Sequence, residues 1–443
     1  MPEQLLHGWG RTSPSYADVL AVRDVADVER ALAAAGTRGV LARGLGRSYG
    51  DAAQNAGGTV LDLSALHTIE VGEDDVVTCG AGARLGDVID ALAPHGLFVP
   101  VSPGTSRITL GGAVAADVHG KNHHRDGSFG DHVVAIDLVT PADGLRRIGP
   151  ASEGPDLALF HATVGGMGLT GVVVSVAFRA MRVGSPDVLV DTRRLGSLDA
   201  VMEHLRSTDS SHRYSVAWID ASARGSRLGR GIVTQGDHAP AAGGNAPVGP
   251  PARIAVPLTP PVGAINRATV AAFNEAWFRR APGARDGERQ SVRAFFHPLD
   301  GVEGWNRVYG PGGLIQHQCA VPDSAAHLIP RVLERIRDAG APSFLTVLKR
   351  FGRGNASPLS FPLDGWTLAI DVPARVPGLA AVLDRLDEEI AAAGGRIYLA
   401  KDARTRPDLL RTMYPRLPEW REARRRADPH GILVSDLSRR LEL

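Results

Sequence analysis

Apolar residues near the start of the chain recur at two spacings. Val25, Val28 and Leu32 fall on one helical face behind Asp24, whose carboxylate suits a helix N-cap, and Gly36 ends the run. A short apolar stretch over 39–43 has strand length and runs straight into Gly44-Leu-Gly-Arg-Ser-Tyr-Gly-Asp51. Further strands are expected over 59–63 and 75–79. The second leads through Gly80 and Gly82 to a helix with Leu85, Val88, Ile89 and Leu92 on one face. Residues 129–140 and 171–178 read as two more strands.

From about residue 185 the pattern changes. Tyr214, Val216 and Trp218 alternate with Ser215, Ala217 and Ile219, as on a half-buried strand. Residues 236–261, rich in Pro, Gly and Ala and without periodicity, read as a mobile loop. Two strand–helix–strand units follow: 314–321, 324–340 and 343–349, then 366–372, 378–394 and 396–400. In the later helix Leu379, Val382, Leu383, Leu386 and Ile390 form one apolar stripe, which reads as core. A sheet covered on one face by helices accounts for this pattern. The basic run 421–426 reads as a solvated helix face, with contact to membrane headgroups as the alternative.

Composition narrows the function classes. The chain has 443 residues, 44% of them hydrophobic, enough to bury the core of two or three domains. Its net charge of +1 lacks the basic excess of a nucleic-acid binder, and 5% aromatics offer no broad stacking surface for single strands. Cys79 and Cys319 have no metal or disulfide spacing and read as small buried hydrophobes. The first fifteen residues lack the apolar run of an export signal, and no stretch approaches the roughly 20 apolar residues of a membrane span. A cytoplasmic protein, or one peripheral at the cell envelope, is the expectation.

Three glycine-rich segments carry the chemistry. The loop at 44–50 has the spacing G-x-G-x-x-x-G, not the G-x-G-x-x-G of a Rossmann turn, and Tyr49 stands where that turn needs its third glycine. Its glycines let backbone N–H groups converge on an anion, and Arg43 and Arg47 add charge. The second segment, 103–124, is rich in small residues, with Thr109 placed to cap a short helix over 111–116. The third is 164–171. Together they suit one extended ligand with a pyrophosphate and a flat ring. His119, His123 and His124 tempt a metal reading. However, Gly120 and Asn122 interrupt any helix, and no carboxylate precedes Asp126 in the run, so no metal is expected. His119 facing a cofactor is the favoured reading, a satisfied core histidine the alternative. No G-x-S-x-G elbow supports a hydrolase.

Residues 44–51, 103–124 and 165–171 resemble the FAD-binding domain of the vanillyl-alcohol-oxidase type. Longer motifs extend the match. ARGLGRSYGDAAQN, HGKNHH, FFHPLDGVEGWNRVYGPGGLIQHQ, SPLSFPLDGW, YLAKDARTR and the terminal SRRLEL resemble the flavoprotein family of decaprenylphosphoryl-β-D-ribose 2'-epimerases. The resemblance implies an α+β fold. A two-subdomain FAD-binding unit (1–184) joins a substrate domain with an antiparallel sheet covered by helices (185–395), and a C-terminal segment (396–443) returns to the FAD unit. It implies oxidation of the 2'-hydroxyl of a polyprenyl-phosphoryl ribose to a ketone. A separate NADH-dependent short-chain reductase then completes the epimer used for cell-wall arabinan. The lipid-linked sugar would be met at a membrane surface; no nucleic acid is involved.

The same resemblance implies FAD held without a covalent bond, since Tyr49 and Asp51 occupy the region where covalent members offer a histidine. Its expected contacts are Arg43, Gly44, Leu45, Gly46, Arg47, Ser48, Tyr49 and Gly50 in the first turn. The second turn offers Pro103, Gly104, Thr105, Thr109, Gly111, Gly112, Ala115, His119, Gly120 and Asn122. The third offers Gly165, Gly168, Gly171 and Val172, with Tyr398 late in the chain. Lys401, His119 and Tyr49 are the expected catalytic residues, Lys401 as base or as electrostatic stabiliser. Lys121, Trp218, Phe296, Arg307, Gln316, Gln318, Lys349, Thr367 and Lys401 are expected around the substrate, with Lys349 and Arg307 offered to its phosphate. Val216, Phe296, Thr367 and Ala369 depart from the serine, tyrosine, asparagine and cysteine of mycobacterial members, so the thiol that nitroaromatic inhibitors modify there is missing. A soluble alditol or aldonolactone oxidase is the competing reading. Those relatives carry H-W-x-K near the C-terminus, where this chain has Trp420-Arg-Glu-Ala.

Overall fold

The computed structural model describes residues 3–240, 254–261 and 263–443. Strands β1 (Glu3–Leu6), β2 (Ser15–Ala21), β3 (Val40–Arg43) and β4 (Thr59–Asp62) form a first sheet in the order β1-β2-β4-β3. Strands β2, β4 and β3 run parallel, so a crossover is required, and helix α1 (Val25–Ala33) supplies it. Asp24 caps α1 by accepting the Asp27 amide, as the sequence predicts; the helix closes at Ala34, two residues before Gly36.

A second, antiparallel sheet has the order β5-β6-β9-β7-β8. Its strands are β5 (Ile69–Val71), β6 (Val76–Gly80), β7 (Val133–Thr140), β8 (Gly144–Ile148) and β9 (Val172–Arg179). Helices α2 (Leu85–Leu92), α3 (Leu110–Ala115) and α4 (Gly154–Thr163) accompany it. The predicted face of α2 is fully used: Leu85, Val88, Ile89 and Leu92 are all buried in the core shared by the two sheets.

The third sheet is antiparallel throughout and eight-stranded. Its strands are β10 (Asp187–Leu195), β11 (Tyr214–Ile219), β12 (Gly231–His238), β13 (Ala284–Ser291), β14 (Leu314–Val321), β15 (Thr346–Phe351), β16 (Gly365–Pro373) and β17 (Arg396–Ile397). They lie in the order β13-β10-β12-β11-β15-β16-β14-β17. One face is closed by helices α5 (Leu198–Thr208), α7 (Leu328–Asp338) and α8 (Leu379–Ala392), with α6 (Arg267–Arg280) at its side. Period-2 alternation sorts the side chains. Ala217, Val233, Cys319, Leu348 and Leu368 join the core under those helices. Trp218, Ile232, Gln318, Val347 and Ala369, one step along each strand, face the other way into a cavity.

The C-terminal residues fold back on the first sheet. The Val40 amide donates to the Ile432 carbonyl at 2.8 Å. In α10 (Asp436–Leu441), which follows α9 (Leu417–Ala427), Arg440 pairs with Asp51 at 2.8 Å and Asp402 at 2.9 Å and donates to the Thr405 carbonyl. One guanidinium thus ties the exit of the first glycine turn to the residue after Lys401. No helix among the described residues is long and apolar enough to cross a membrane.

Several expected elements are corrected. Residues 129–132 form a 3₁₀ turn because Ser128 and Asp131 make a reciprocal capping box; the strand begins at Val133. The expected loop over 236–261 starts inside β12. Its Ile254–Ala255 pairs with Val302–Glu303, and its residues 241–253 lie outside the described residues. The helix expected from 324 begins at Leu328 after a 3₁₀ turn, and the strand expected over 396–400 stops at Ile397. In the basic run Arg425 and Arg426 pair with Glu422 on the surface, but Arg424 packs on Trp420 and donates to the Leu433 carbonyl.

Replacing Arg440 by alanine leaves the buried Asp402 carboxylate without its cation and is expected to destabilise the fold by about 2–4 kcal/mol. Denaturant titration of the holoprotein checks this; an unchanged midpoint would show that the brace is dispensable.

Candidate active site

The open face of the large sheet and the three glycine-rich turns enclose one cavity of about 1220 Å³. Sites for drug-sized ligands measure roughly 300–1,000 Å³. The space suits a dinucleotide together with part of a second ligand.

Backbone proximity explains the small residues of its floor. Gly44 packs on the Thr109 side chain so closely that no Cβ fits, and Gly46 sits at φ +60°, a conformation that favours glycine. Thr109 caps α3 by accepting the Gly112 amide. Gly104 and Gly168 line the cavity and face open space, so any side chain there would fill it. The Arg47 guanidinium stacks over Trp9 at 4.1 Å, and its Nε is buried without a hydrogen-bond partner. Burial and the nearby Arg107 hold its pKa below the usual range. An unpaired guanidinium beside a glycine wall fits an anionic, extended group such as the pyrophosphate of FAD. Arg43 does different work: it donates to the carbonyls of Ala53 and His7 and braces the loop. Asp300 ties the second turn to the 298–301 segment by accepting from the Ser106 amide at 2.7 Å and from the Ser106 hydroxyl at 2.8 Å.

Three lysines line the same cavity: Lys349 and Lys401 from the large sheet and its exit, Lys121 from the second turn itself. Lys401 follows the end of β17 and lies 4.0 Å from the centre of the Tyr49 ring. Lys349, on β15, approaches His119 Nδ1 at 3.1 Å and donates to the Gly120 carbonyl at 3.3 Å. Lys121 donates to the Phe295 carbonyl and sits 4.2 Å from that ring's centre. Burial pushes Lys121 and Lys349 down to about 7, Lys349 also through repulsion by Lys121 and Lys401. Burial lowers Lys401 to about 8 against the attraction of Asp371. Asp371, on β16, is raised to about 7 by burial, opposed by the Gln316 amide that donates to it and by Lys401. Burial raises Tyr49 well above its ordinary value, keeping it a phenol. Burial and the neighbouring Lys349 hold His119 far below the ordinary histidine range, so it is neutral. Its Nε2 meets the Gln318 amide at 3.1 Å. A neutral imidazole has one donor and one acceptor, so its tautomer is coupled to the charge on Lys349. The cluster can accept a proton near neutral pH and can hold an anion.

Most of the residues expected from sequence line this one cavity, including Tyr49, His119, Lys121, Trp218, Phe296, Gln316, Gln318, Lys349, Tyr398 and Lys401. Six do not. Arg307 donates to the carbonyls of Val256 and Pro257, which turns it away. Thr367, on the same face as Ala369, donates to the Cys319 carbonyl and accepts from Gln318. Asn122 is spent on the Pro100 carbonyl and Asp126. Gly50 packs against the Asp402 backbone and Gly165 against Leu359 and Ser360, while Val172 belongs to the core. Sequence reasoning missed Asp371. The period-2 pattern of β16 places it on the cavity face, and pairing with β14 sets it opposite Gln316.

A model of the FAD binding domain matches residues 17–149. Decaprenylphosphoryl-β-D-ribose oxidase of Mycolicibacterium smegmatis is 41% identical over 99% of this chain and 97% of its own. An uncharacterized protein from the mprA 5' region of Streptomyces coelicolor is 40% identical over 81% of this chain and 99% of its own. Alditol oxidase of a Streptomyces species is 27% identical over 91% and 90%. With that identity to the mycobacterial oxidase over nearly the full length of both chains, and a cavity built to fit FAD, this protein belongs to the decaprenylphosphoryl-β-D-ribose oxidase family of FAD-binding proteins.

Proposed function

We propose that this chain oxidises the 2'-hydroxyl of a polyprenyl-phosphoryl-β-D-ribose to the 2'-keto sugar, with FAD bound without a covalent link. The observation that carries this reading is the shared cavity, which the glycine turns line together with three lysines and a neutral histidine. FAD, held along the glycine turns near Arg47, would supply the acceptor for the hydride of the carbinol carbon. The protein's own residues supply the rest. Lys401 Nζ takes the hydroxyl proton, a role suited to an amine whose pKa lies near 8. Tyr49 supports it through its ring face. Lys349 and Lys121 hold the phosphate, whose charge raises the pKa of both and restores their ammonium forms. His119 and Gln318 orient the sugar. Phe296 excludes water beside the sugar, and Trp218 does so along the rest of the substrate. Units spanning 1–184, 185–395 and 396–443 divide the work between cofactor, substrate and closure. The keto product passes to an NADH-dependent short-chain reductase, and the lipid-linked substrate is met at a membrane surface.

Anaerobic mixing with farnesylphosphoryl-β-D-ribose is expected to bleach the flavin absorbance, and xylitol is not. Bleaching by xylitol alone would favour an alditol oxidase.

A lysine accepts a proton only when neutral, so kcat/KM is expected to rise with pH through about 8. Lys401→Met should lower kcat by roughly 10²–10⁴-fold and remove that limb while the protein stays yellow. A variant with the wild-type profile would exclude Lys401 as the base.

His119 is the one histidine on the cavity wall among the described residues, and it is engaged by Lys349 and Gln318. Acid precipitation should therefore release the flavin to the supernatant; a yellow pellet would reveal a covalent bond.

A further inference from the structure

Strand pairing sets five residues in one row across the open face of the large sheet. Gln318 lies opposite Ala369, Ala369 opposite Val347, Val347 opposite Trp218 and Trp218 opposite Ile232. All five line the cavity. At the usual strand spacing the row is roughly 19 Å long. Its first member meets His119, and the other four are apolar. Their sequence neighbours already fill the core under the helices, so the row is not needed to seal that core. Lys349 lies two residues along β15 from Val347, on the same face, and puts a cation beside the inner end.

An aromatic ribbon continues outward from the start of β15. The Phe344 ring lies 5.7 Å from Phe273, and Phe273 stacks on Trp277 at 6.1 Å with planes 9° apart. All three rings line the cavity, yet Phe273 and Trp277, on α6, are 46% and 44% exposed. Large apolar rings left at a rim gain free energy only from a ligand that covers them. A free pentose or its phosphate ends at the lysines and leaves row and ribbon wet.

We propose that this row and the Phe344–Phe273–Trp277 ribbon form the subsite for the isoprenoid chain, which crosses the sheet from the lysine-held phosphate and leaves between α6 and the cavity rim. The inference rests on the reading of the site as one for a lipid-linked ribose.

The test uses holoenzyme and riboses carrying a phosphate linked to two, four or six isoprene units, comparing kcat/KM along the series. Wild-type kcat/KM should rise with each unit. In Phe273→Ser/Trp277→Ser the gain from the second to the sixth unit should shrink about tenfold, and Trp277→Leu should keep part of it, since apolar area is what counts. The ratio cancels any general loss of activity. Equal gains in wild type and double variant overturn the subsite while leaving the oxidation intact. Failure of every prenyl ester to bleach the flavin instead removes the reading beneath it.

Discussion

Three lysines line one cavity, and only one of them, Lys401, has a carboxylate that counters its burial; that imbalance governs the site. Lys121 and Lys401 repel Lys349, while the buried Asp371 attracts Lys401. Removing charge from water is costly, so burial drives all four toward their neutral forms. A ligand that brings negative charge restores the ammonium state and gains attraction in a medium of low polarity. The cavity is therefore poised for anions, and the same pKa shifts leave an amine able to receive a proton near neutral pH.

The fold makes this arrangement affordable. The glycine turns come from 43–50, 103–121 and 167–173, the second of them carrying His119 and Lys121, while Lys349, Lys401 and the glutamines come from the large sheet and the residues just past its last strand. Core packing under α5, α7 and α8 uses every second residue of those strands, which frees the alternate ones for the cavity. Arg440 and the 298–301 segment then tie turn to sheet across long stretches of sequence.

What could be read from sequence was whatever is encoded locally. The α1 cap at Asp24, the face of α2, the Thr109 cap and the alternation of Gln316 with Gln318 are each set by residues a few positions apart. Ser128 and Asp131 also carried a local signal, a capping box, that explains the 3₁₀ turn where a strand was expected. Arg307 and Thr367 were misplaced for another reason. Their directions are fixed by carbonyls of Val256, Pro257 and Cys319, distant partners known only once the chain is folded. Asp371 reads in sequence as one polar residue in an apolar strand, and its meaning depends on the register with Gln316. Phe273 and Trp277 likewise look like ordinary helix residues until α6 is seen beside the cavity.

The most direct measurement is a crystal structure of the yellow holoprotein. The flavin ring is expected between the His119 side and the Lys401 side of the cavity, with its pyrophosphate along residues 44–49 near Arg47. Flavin density elsewhere, or with Lys401 and Lys349 turned away from the ring and the space above it, would contradict the account.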